Sequence, residues 1–405
     1  MHWFTGFVLH KIAFGLLSVL LPLYITQVIS GGTLTIWGMI TASATLLAIP
    51  FSFMWGYFCD STRHYRIFIL LSFAAVTALL YIFSITTDLL LLWLLYVAIV
   101  LFQVAYEPPK NVLIAETYFY EDWRHGFALY GAWTQLGWVV GLLLGFLLVF
   151  LGLNNTTLLL ASVFLSLLSF LFSVPLIKDP ALIFERRLVA MDKSVSLVQR
   201  GAMLLSRMDF GSDVKRELGQ ENTYAFCAGL VLFSLATSVF FIPLPVFFAK
   251  TLALQTSAIF ALFLINSTSC FLGYTLTLRN ANNLDATATI RRASLFRSFL
   301  VLLPIAVGII PFSGALVLSI IVLAVMGFVY ASYSVAVLSL SMEVIPQGKV
   351  GLLTALVGIG SGIGCFVGPI IADSLGFQYM FIISASCSFL GFVAFKKFAK
   401  VAPMW

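Results

Sequence analysis

Charged side chains are scarce in this chain, and their scarcity excludes a water-soluble protein. Only 9% of the 405 residues are charged and 61% are hydrophobic, whereas soluble domains carry about 25% charged residues. The mean hydropathy is +1.07. A single soluble core stops growing near about 250–300 residues, so one such core would not hide this much apolar sequence from water. Lipid is therefore the expected solvent for most of the chain.

Cysteine, histidine and nucleotide-binding motifs are also sparse. The five cysteines are scattered without a CxxC pair and only four histidines are present, so the spacing typical of zinc sites is missing. No G-x-x-x-x-G-K-[ST] run occurs, which argues against an ATP-driven pump. The formal charge is +6, but no basic stretch is interleaved with stacking aromatics. We therefore predict no enzyme, cofactor, metal or nucleic-acid partner.

Long apolar runs are what the chain has in abundance. A helix needs roughly 20 apolar residues to cross a bilayer, and helices satisfy their own backbone groups there. The first run begins without a basic leader or a cleavage site, so we expect a retained first span. The fold class predicted is all-α, a polytopic membrane protein of 12 transmembrane helices in two six-helix bundles. The spans are predicted at roughly 4–27, 34–58, 66–86, 89–117, 126–151, 156–177, 223–249, 254–277, 296–312, 314–342, 350–372 and 377–397.

The basic residues predict one orientation. Of the 22 Lys and Arg residues, 19 fall on the side of the two termini, and basic residues accumulate in cytoplasmic loops. Both termini are therefore expected in the cytoplasm, with the chain in the plasma membrane. The inner segment that leads into the ninth span contributes four of these residues, namely Arg279, Arg291, Arg292 and Arg297.

The stretch 178–222 divides the chain into two predicted bundles, 1–177 and 223–405. It holds eight basic and seven acidic residues with apolar positions between them. Two interpretations stay open for it: a cytoplasmic linker whose one or two helices lie on the membrane surface, or a solvated charge-rich loop.

The two halves are similar at an offset of roughly 220 residues. An even number of spans in each half makes this a parallel repeat, whose halves can rock about a central site. That geometry predicts alternating access and a secondary active transporter. Matching segments include Gly56-Tyr57 with Gly273-Tyr274, and Glu116, Arg124 and Gly126 with Glu343, Lys349 and Gly351.

These segments resemble the major facilitator superfamily along essentially the whole chain. That family carries a Gly-x-x-x-Asp loop with basic residues after its second helix, as in Gly56 to Asp60 followed by Arg63 and Arg66. The resemblance implies that Asp60 caps the N-terminal end of the eleventh helix and pairs with nearby arginines, latching the outward-open form. The alternative is that these charges only set topology. The full predicted latch is Gly56, Asp60, Arg63, Arg66, Glu116 and Arg124.

Glycines at four-residue spacing line one face of the fifth and eleventh helices, where they permit tight helix crossings. The family's drug/proton antiporters carry Gly-Pro in the fifth helix, where this chain has Gly141-Leu142. Their basic residue in the fourth helix is replaced by Tyr96. The predicted packing residues are Gly137, Gly141, Gly145, Gly360, Gly364, Gly368 and Pro369.

Ionisable residues inside spans are costly and therefore mark a candidate site. The set here is His10, Lys11, Glu107 and Lys110. We hypothesise that Glu107 exchanges a proton while Lys11 or Lys110 pairs with it or with substrate. Alternatively, each lysine snorkels to the membrane interface.

Polar residues nearby are candidates for the same pathway. Gln103, Asn111 and Gln135 either line it or make interhelical hydrogen bonds. Pro108 and Pro109 follow Glu107 directly and are expected to bend the fourth helix.

The resulting prediction is a transporter of a small organic solute, with proton-coupled efflux of a lipophilic compound favoured slightly. An organic-anion transporter is the first alternative, because two lysines against one glutamate leave the presumed cavity positive. A receptor built on a transporter fold is an alternative of another class. The expected partners are a small-molecule substrate, protons and the lipid bilayer, and we expect a monomer.

Overall fold

The structure is a computed structural model that describes residues 3–117, 123–179, 223–279, 285–308, 310–344 and 350–398. Most of the predicted linker, at 180–222, lies outside the described residues.

Helices form all the secondary structure of the first described half. The fourth predicted span is divided, because α4 and α5 are separated by a 3-10 turn at Val104–Tyr106. The helices are α1 Phe4–Gln27, α2 Leu34–Thr62, α3 Tyr65–Ile85, α4 Leu89–Gln103, α5 Glu107–Thr117, α6 Trp123–Phe150 and α7 Asn155–Leu176.

The second half repeats this arrangement with the seventh and ninth spans divided. A 3-10 turn at Leu303–Gly308, which contains Pro304, completes the ninth. The helices are α8 Thr223–Phe241, α9 Leu244–Thr251, α10 Thr256–Arg279, α11 Ala286–Leu300, α12 Phe312–Val344, α13 Val350–Ser374 and α14 Phe377–Phe398.

The predicted all-α fold of twelve membrane helices is confirmed, although only eleven helices among the described residues are long and apolar enough to count as candidate spans. The ninth span was predicted wrongly at 296–312. Its helix α11 begins at Ala286, where Asp285 accepts hydrogen bonds from the backbone N–H groups of Thr287 and Ala288 at 3.0 and 3.2 Å. Arginines in its first turns hide this start from a search for apolar runs, so Arg291 and Arg292 were wrongly placed in a loop before the span.

Polar residues face inward and large apolar residues face outward on α7, the reverse of a soluble helix. Ser169 is fully buried and donates a hydrogen bond to the Gly6 carbonyl of α1 at 2.7 Å. Phe164 and Leu171 are 59% and 51% exposed. Small residues bring membrane helices together while large apolar ones meet lipid. In the second half, Ser384 of α14 donates to Ala236 of α8 in the same way, also at 2.7 Å.

Glycines place α1 directly against α6. A Cβ atom added at Gly137 would lie 2.7 Å from the Val8 carbonyl oxygen, and one at Gly141 would overlap the Ile12 carbonyl oxygen. From the other side, a Cβ at Gly15 would lie 2.5 Å from the Trp138 carbonyl oxygen. The two backbones therefore touch, which only glycine permits at these positions.

The same crossing recurs between α8 and α13. A Cβ at Gly364 would lie 2.5 Å from the Leu235 carbonyl oxygen, and one at Gly368 would lie 2.7 Å from that of Val239. A Cβ at Gly360 would overlap the Val231 carbonyl oxygen in the same way. These pairs follow the first-half pairs at an offset of about 220 residues, as expected for a parallel repeat.

The halves meet near the face opposite the termini. There α2 packs against α13, with Gly38 against Pro369 and Leu46 against Gly362. Gly145 of α6 does not continue the α1 crossing, since its neighbour is the Phe260 ring of α10. Nearer the termini, a Cβ at Gly56 would approach only Pro108 of its own half, at 3.9 Å. As far as the described residues show, the two halves are therefore closed against each other on the face opposite the termini.

One acidic side chain joins the halves at this face. Asp373, at the end of α13, accepts hydrogen bonds from the backbone N–H and the hydroxyl of Thr35 at 2.7 and 2.8 Å. Thr35 lies in the first turn of α2, whose N–H groups lack helical partners and favour a negative charge. Lys250 of α9 adds a weak ion pair to Asp373 at 4.0 Å. We call Thr35, Lys250 and Asp373 the inter-half lock.

Replacing Gly141 with Ala should destabilise the fold, because the added methyl overlaps a backbone carbonyl that has no side-chain freedom. Overpacking of this kind costs about 1–3 kcal/mol. Thermal unfolding of the purified protein in detergent measures the loss. Gly131→Ala is the matched control, since a Cβ at Gly131 of the same helix has nothing within 4 Å. Equal melting temperatures for the two variants would contradict the crossing.

Replacing Asp373 with Asn should open the lock more often, because the carboxylate loses its charge while keeping its size. For a partly exposed contact we expect about 1 kcal/mol, or roughly fivefold in the open population. The native Cys365, 4% exposed beside Gly38, reports the change as faster maleimide labelling.

Two controls accompany this measurement. Cys270 is 5% exposed within the second half and should keep its labelling rate. Asp88→Asn changes a cap of the same kind that acts only on its own helix α4, at Leu91 N–H. Faster labelling of Cys365 in Asp88→Asn, or unchanged labelling in Asp373→Asn, would show that the lock does not hold the halves together.

Candidate functional site

The charged cluster of the first half is built at the break in the fourth span. Pro108 and Pro109 occupy the first turn of α5. Because they lack N–H groups, the hydrogen-bond pattern of the preceding helix α4 does not continue through them. Glu107 begins α5 at the break and forms an ion pair with Lys110. The pair spans one helical turn, and it places a carboxylate about 15 Å from the end of α5.

The two partners of this pair differ in access. The Lys110 side chain is 12% exposed, while that of Glu107 is 43% exposed. The Lys110 ammonium lies 5.2 Å from the centre of the Tyr130 ring of α6, where a cation is attracted to the ring face. Lys110 is therefore held by Glu107 and Tyr130, and only the carboxylate keeps an open side.

Lys11 reaches the same cluster from α1. Its ammonium lies 5.9 Å from the centre of the Tyr106 ring, and it is close enough to Glu107 for the charges to interact. The α1–α6 crossing fixes this position, because a Cβ at Gly137 would lie 3.3 Å from the Lys11 Cβ. The structure thus brings Lys11, Glu107 and Lys110 together, as hypothesised from the sequence. One carboxylate faces two ammonium groups.

His10 occupies a closed aromatic cage next to this cluster. It is fully buried, stacks on Phe73 at 4.7 Å between ring centres and meets Tyr106 edge-on at 5.4 Å. Both ring nitrogens lack a hydrogen-bond partner among the described residues. A buried polar group without a partner costs free energy, so His10 is an unusual core residue.

The predicted polar residues fall into different environments. Asn111 is exposed one turn after Glu107 on the same face of α5, so the two share an accessible space. Gln103 is partly buried at the end of α4 beside Tyr106. Gln135 approaches the Ser267 carbonyl oxygen of the other half at 3.5 Å, the limit of a hydrogen bond.

The residues of the predicted latch lie at the face of the termini. Arg63 ends α2 in the left-handed conformation with φ 58°. Arg66 donates through Nη2 to the Val174 carbonyl at 2.7 Å and through its backbone N–H to Asp179 at 2.8 Å. Arg66 therefore ties α3 to the end of α7 within one half.

The latch itself stays a prediction. Asp60 is exposed at the end of α2, and Glu116 is partly exposed near the end of α5. The Arg124 side chain and residues 345–349, just before α13, lie outside the described part.

One charged residue of the interior was missed by the sequence argument. Arg297 is only 1% exposed in α11, with its guanidinium carbon 4.6 Å from the centre of the Phe233 ring. A helix start at Asp285, followed by Thr and Ala, was the available signal. Within the described residues no group of three His, Cys, Asp or Glu could hold a metal ion.

The fold and cluster define a polytopic membrane transporter with two repeated six-helix halves. The sequence profile described as Major Facilitator Superfamily matches residues 3–369. The chain belongs to this superfamily, which consists of transporters and not of enzymes.

Solved structures of similar fold agree with this placement. A crystal structure of a mutant of the nucleoside transporter NupG gives a TM-score of 0.70 at 14% identity, covering 98% of this chain and 99% of that one. A bacterial homolog of the human lysosomal transporter Spinster, inward-facing and unoccupied, gives 0.65 at 15% identity, covering 100% and 97%. Identities this low show the fold alone. No curated protein matched the sequence.

Replacing Glu107 with Gln should destabilise the protein, because Lys110 then keeps a charge in a nearly closed site without its partner. Breaking a buried pair costs about 3–5 kcal/mol, and the exposed side of Glu107 reduces this to about 1–3 kcal/mol. The double variant Glu107→Gln/Lys110→Met should recover most of the loss, as seen by thermal unfolding in detergent. Asn111→Ala serves as the control on the same face. Strictly additive effects of the two changes would refute the pairing.

Proposed function

We propose that the chain is a secondary active transporter of small organic anions. The observation that carries this proposal is the charge of the described interior. Lys11, Lys110 and Arg297 lie within the spans, and Glu107 is the one described carboxylate that faces any of them. Charges inside membrane spans are costly and mark substrate or ion pathways. An anionic solute would supply the missing negative charge.

Alternating access follows from the repeat and from the contact between the halves. The inter-half lock and the contacts of α2 with α13 close the opposite face. Rocking of one half against the other would break these contacts and close the face of the termini instead. We propose that the termini face the cytoplasm, since basic residues concentrate there. The described conformation is then open toward the cytoplasm.

Proton-coupled efflux of a lipophilic compound is the second candidate. The Glu107 side chain favours it, because 43% of its surface is accessible and a carboxylate with access to water can exchange a proton. Its pairing with Lys110 works against it, since the ion pair stabilises the charged form of the carboxylate. The two candidates therefore differ in the residue that transport requires: Lys11 for an organic anion and Glu107 for proton-coupled efflux.

Proteoliposomes with an imposed pH gradient separate the candidates. We expect benzoate, a small organic anion, to drive measurable exchange that is lost or reduced about tenfold in Lys11→Met, because the uncompensated cation is removed. Lys397→Met is the control, since Lys397 is an exposed residue at the end of α14.

Three outcomes of this experiment would contradict the proposed anion transport or the role of Lys11 in it. Proton flux triggered by tetraphenylphosphonium, and abolished in Glu107→Gln, would replace anion transport with drug/proton antiport. Benzoate exchange that survives unchanged in Lys11→Met would remove Lys11 from the pathway. Binding of either compound without any flux would favour a receptor on a transporter fold.

A further inference from the structure

Arg297 is the largest fully buried side chain of the described residues, and it lies in the second half, whereas the charged cluster lies in the first. It lies in the fourth turn of α11, about 17 Å along the helix from its start. Its Nε and Nη2 atoms are buried and make no hydrogen bond among the described residues. Two strong donors thus point into the protein without an acceptor.

Aromatic rings surround the guanidinium. Its central carbon lies 4.6 Å from the Phe233 ring centre and 5.8 Å from that of Phe241. Tyr333 of α12 stacks on Phe233 with ring centres 3.6 Å apart, and it is close enough to Arg297 for the two groups to interact. Contact with ring faces attracts the positive charge. It leaves the N–H donors unsatisfied, because hydrogen bonds to a guanidinium lie in its plane.

Two further polar groups beside Arg297 also lack partners. The hydroxyl oxygens of Ser294, one turn earlier on α11, and of Tyr333 are buried without a hydrogen bond among the described residues. Ser294 is fully buried and Tyr333 is 6% exposed. An orphaned cation with two orphaned hydroxyls is a set of donors that fits an oxyanion.

Described carboxylates are too distant to serve as that oxyanion. Asp285 caps the start of α11, about 18 Å along the helix from Arg297, and Asp373 belongs to the inter-half lock at the opposite face. Glu343, whose side chain is outside the described part, follows Tyr333 by about 15 Å along α12. A buried charge is retained only when it is paired or functional.

The repeat shows that this arrangement is specific to the second half. At an offset of about 220 residues, Phe233 corresponds to His10, and Arg297 falls beside the counterpart of Phe73. The first half therefore has an aromatic cage around a histidine, and the second has one around an arginine. The shared part is scaffold, and the arginine is an addition to it.

We propose that Arg297, with Ser294 and Tyr333, binds the carboxylate of the transported solute, and that Phe233 and Phe241 contact its apolar body. This site deepens the proposed anion transport and rests on it. A planar guanidinium matches a carboxylate with two parallel hydrogen bonds, and two hydroxyls satisfy its remaining lone pairs. Aromatic walls suit an apolar organic acid better than inorganic phosphate, which needs more donors than the described site offers.

Binding to the purified full-length chain in detergent tests the site. Benzoate should raise the melting temperature saturably, and Arg297→Met should weaken benzoate binding about 10- to 100-fold, the range for charge-assisted hydrogen bonds. Without benzoate, Arg297→Met should melt no lower than the original protein, because it removes an unpaired buried charge. An arginine with a purely structural role gives the opposite pattern: a lower melting temperature and unchanged benzoate affinity.

Matched variants keep the test informative if Arg297→Met fails to fold. Arg297→Lys keeps the charge without the planar fork, so benzoate binding should fall about tenfold. Ser294→Ala should weaken benzoate binding about three- to tenfold. Ser72→Ala should not, although Ser72 is equally buried and unpartnered in α3 of the first half. Equal effects of these two serine variants would overturn the site.

The ligand class is tested at constant ionic strength. Inorganic phosphate and chloride should not compete with benzoate, and Arg297-dependent stabilisation by either one above that by benzoate would overturn the carboxylate assignment. Benzoate flux in proteoliposomes separates this inference from the proposed function. Benzoate flux with an unchanged KM in Arg297→Met would refute the proposed site while supporting anion transport. Benzoate binding that depends on Arg297 but occurs without flux would refute anion transport while supporting the proposed site.

Discussion

Backbone contact between α1 and α6, and between α8 and α13, sets the positions of the polar groups in both halves. The glycine that lets α6 approach α1 lies against the Cβ of Lys11, which fixes how far that lysine reaches toward Glu107. In the second half, a Cβ at Gly360 would lie 3.1 Å from the Ser234 Cβ, next to the Phe233 ring that carries Arg297. The small residues fix the distance between two crossing helices. They thereby also fix the positions of the larger or charged side chains that project from the same two helices beside the crossing.

Lipid imposes a second constraint that these crossings satisfy. A bilayer does not drive apolar faces together, so the helices associate through close packing and hydrogen bonds. The buried serines of α7 and the exposed Phe164 and Phe172 on its other side follow from that reversal. Charges left inside such a bundle are not placed by the hydrophobic effect, and each needs a partner or a function. Glu107 and Lys110 are partners of each other, whereas no described carboxylate lies beside Arg297, which is why we propose a function for it.

The sequence was sufficient wherever apolar length decides the structure. Runs of about 20 apolar residues predicted all twelve spans, the ninth with the wrong bounds, because crossing a bilayer requires such runs. The prolines after Glu107 predicted the bend in the fourth span, since they lack the N–H that a helix needs. The start of the ninth span was misplaced because Arg291 and Arg292 lie inside a helix whose N-cap, Asp285, is polar. The aromatic cage of Arg297 joins α8, α11 and α12, and spacing along one chain does not reveal such contacts.

The two halves share a scaffold, so their differences carry what is specific to this protein. The first half places a histidine and a glutamate, two residue types that can exchange protons, near two lysines. The second half places an arginine, which stays charged under physiological conditions. Any proton exchanged by the described interior would therefore be handled by the first half, while the second offers a constant positive charge. A solute bound between the halves would meet a titratable site on one side and a fixed cation on the other. Under the proposed anion transport, Arg297 would stay paired with the negative charge of the solute while one half rocks against the other.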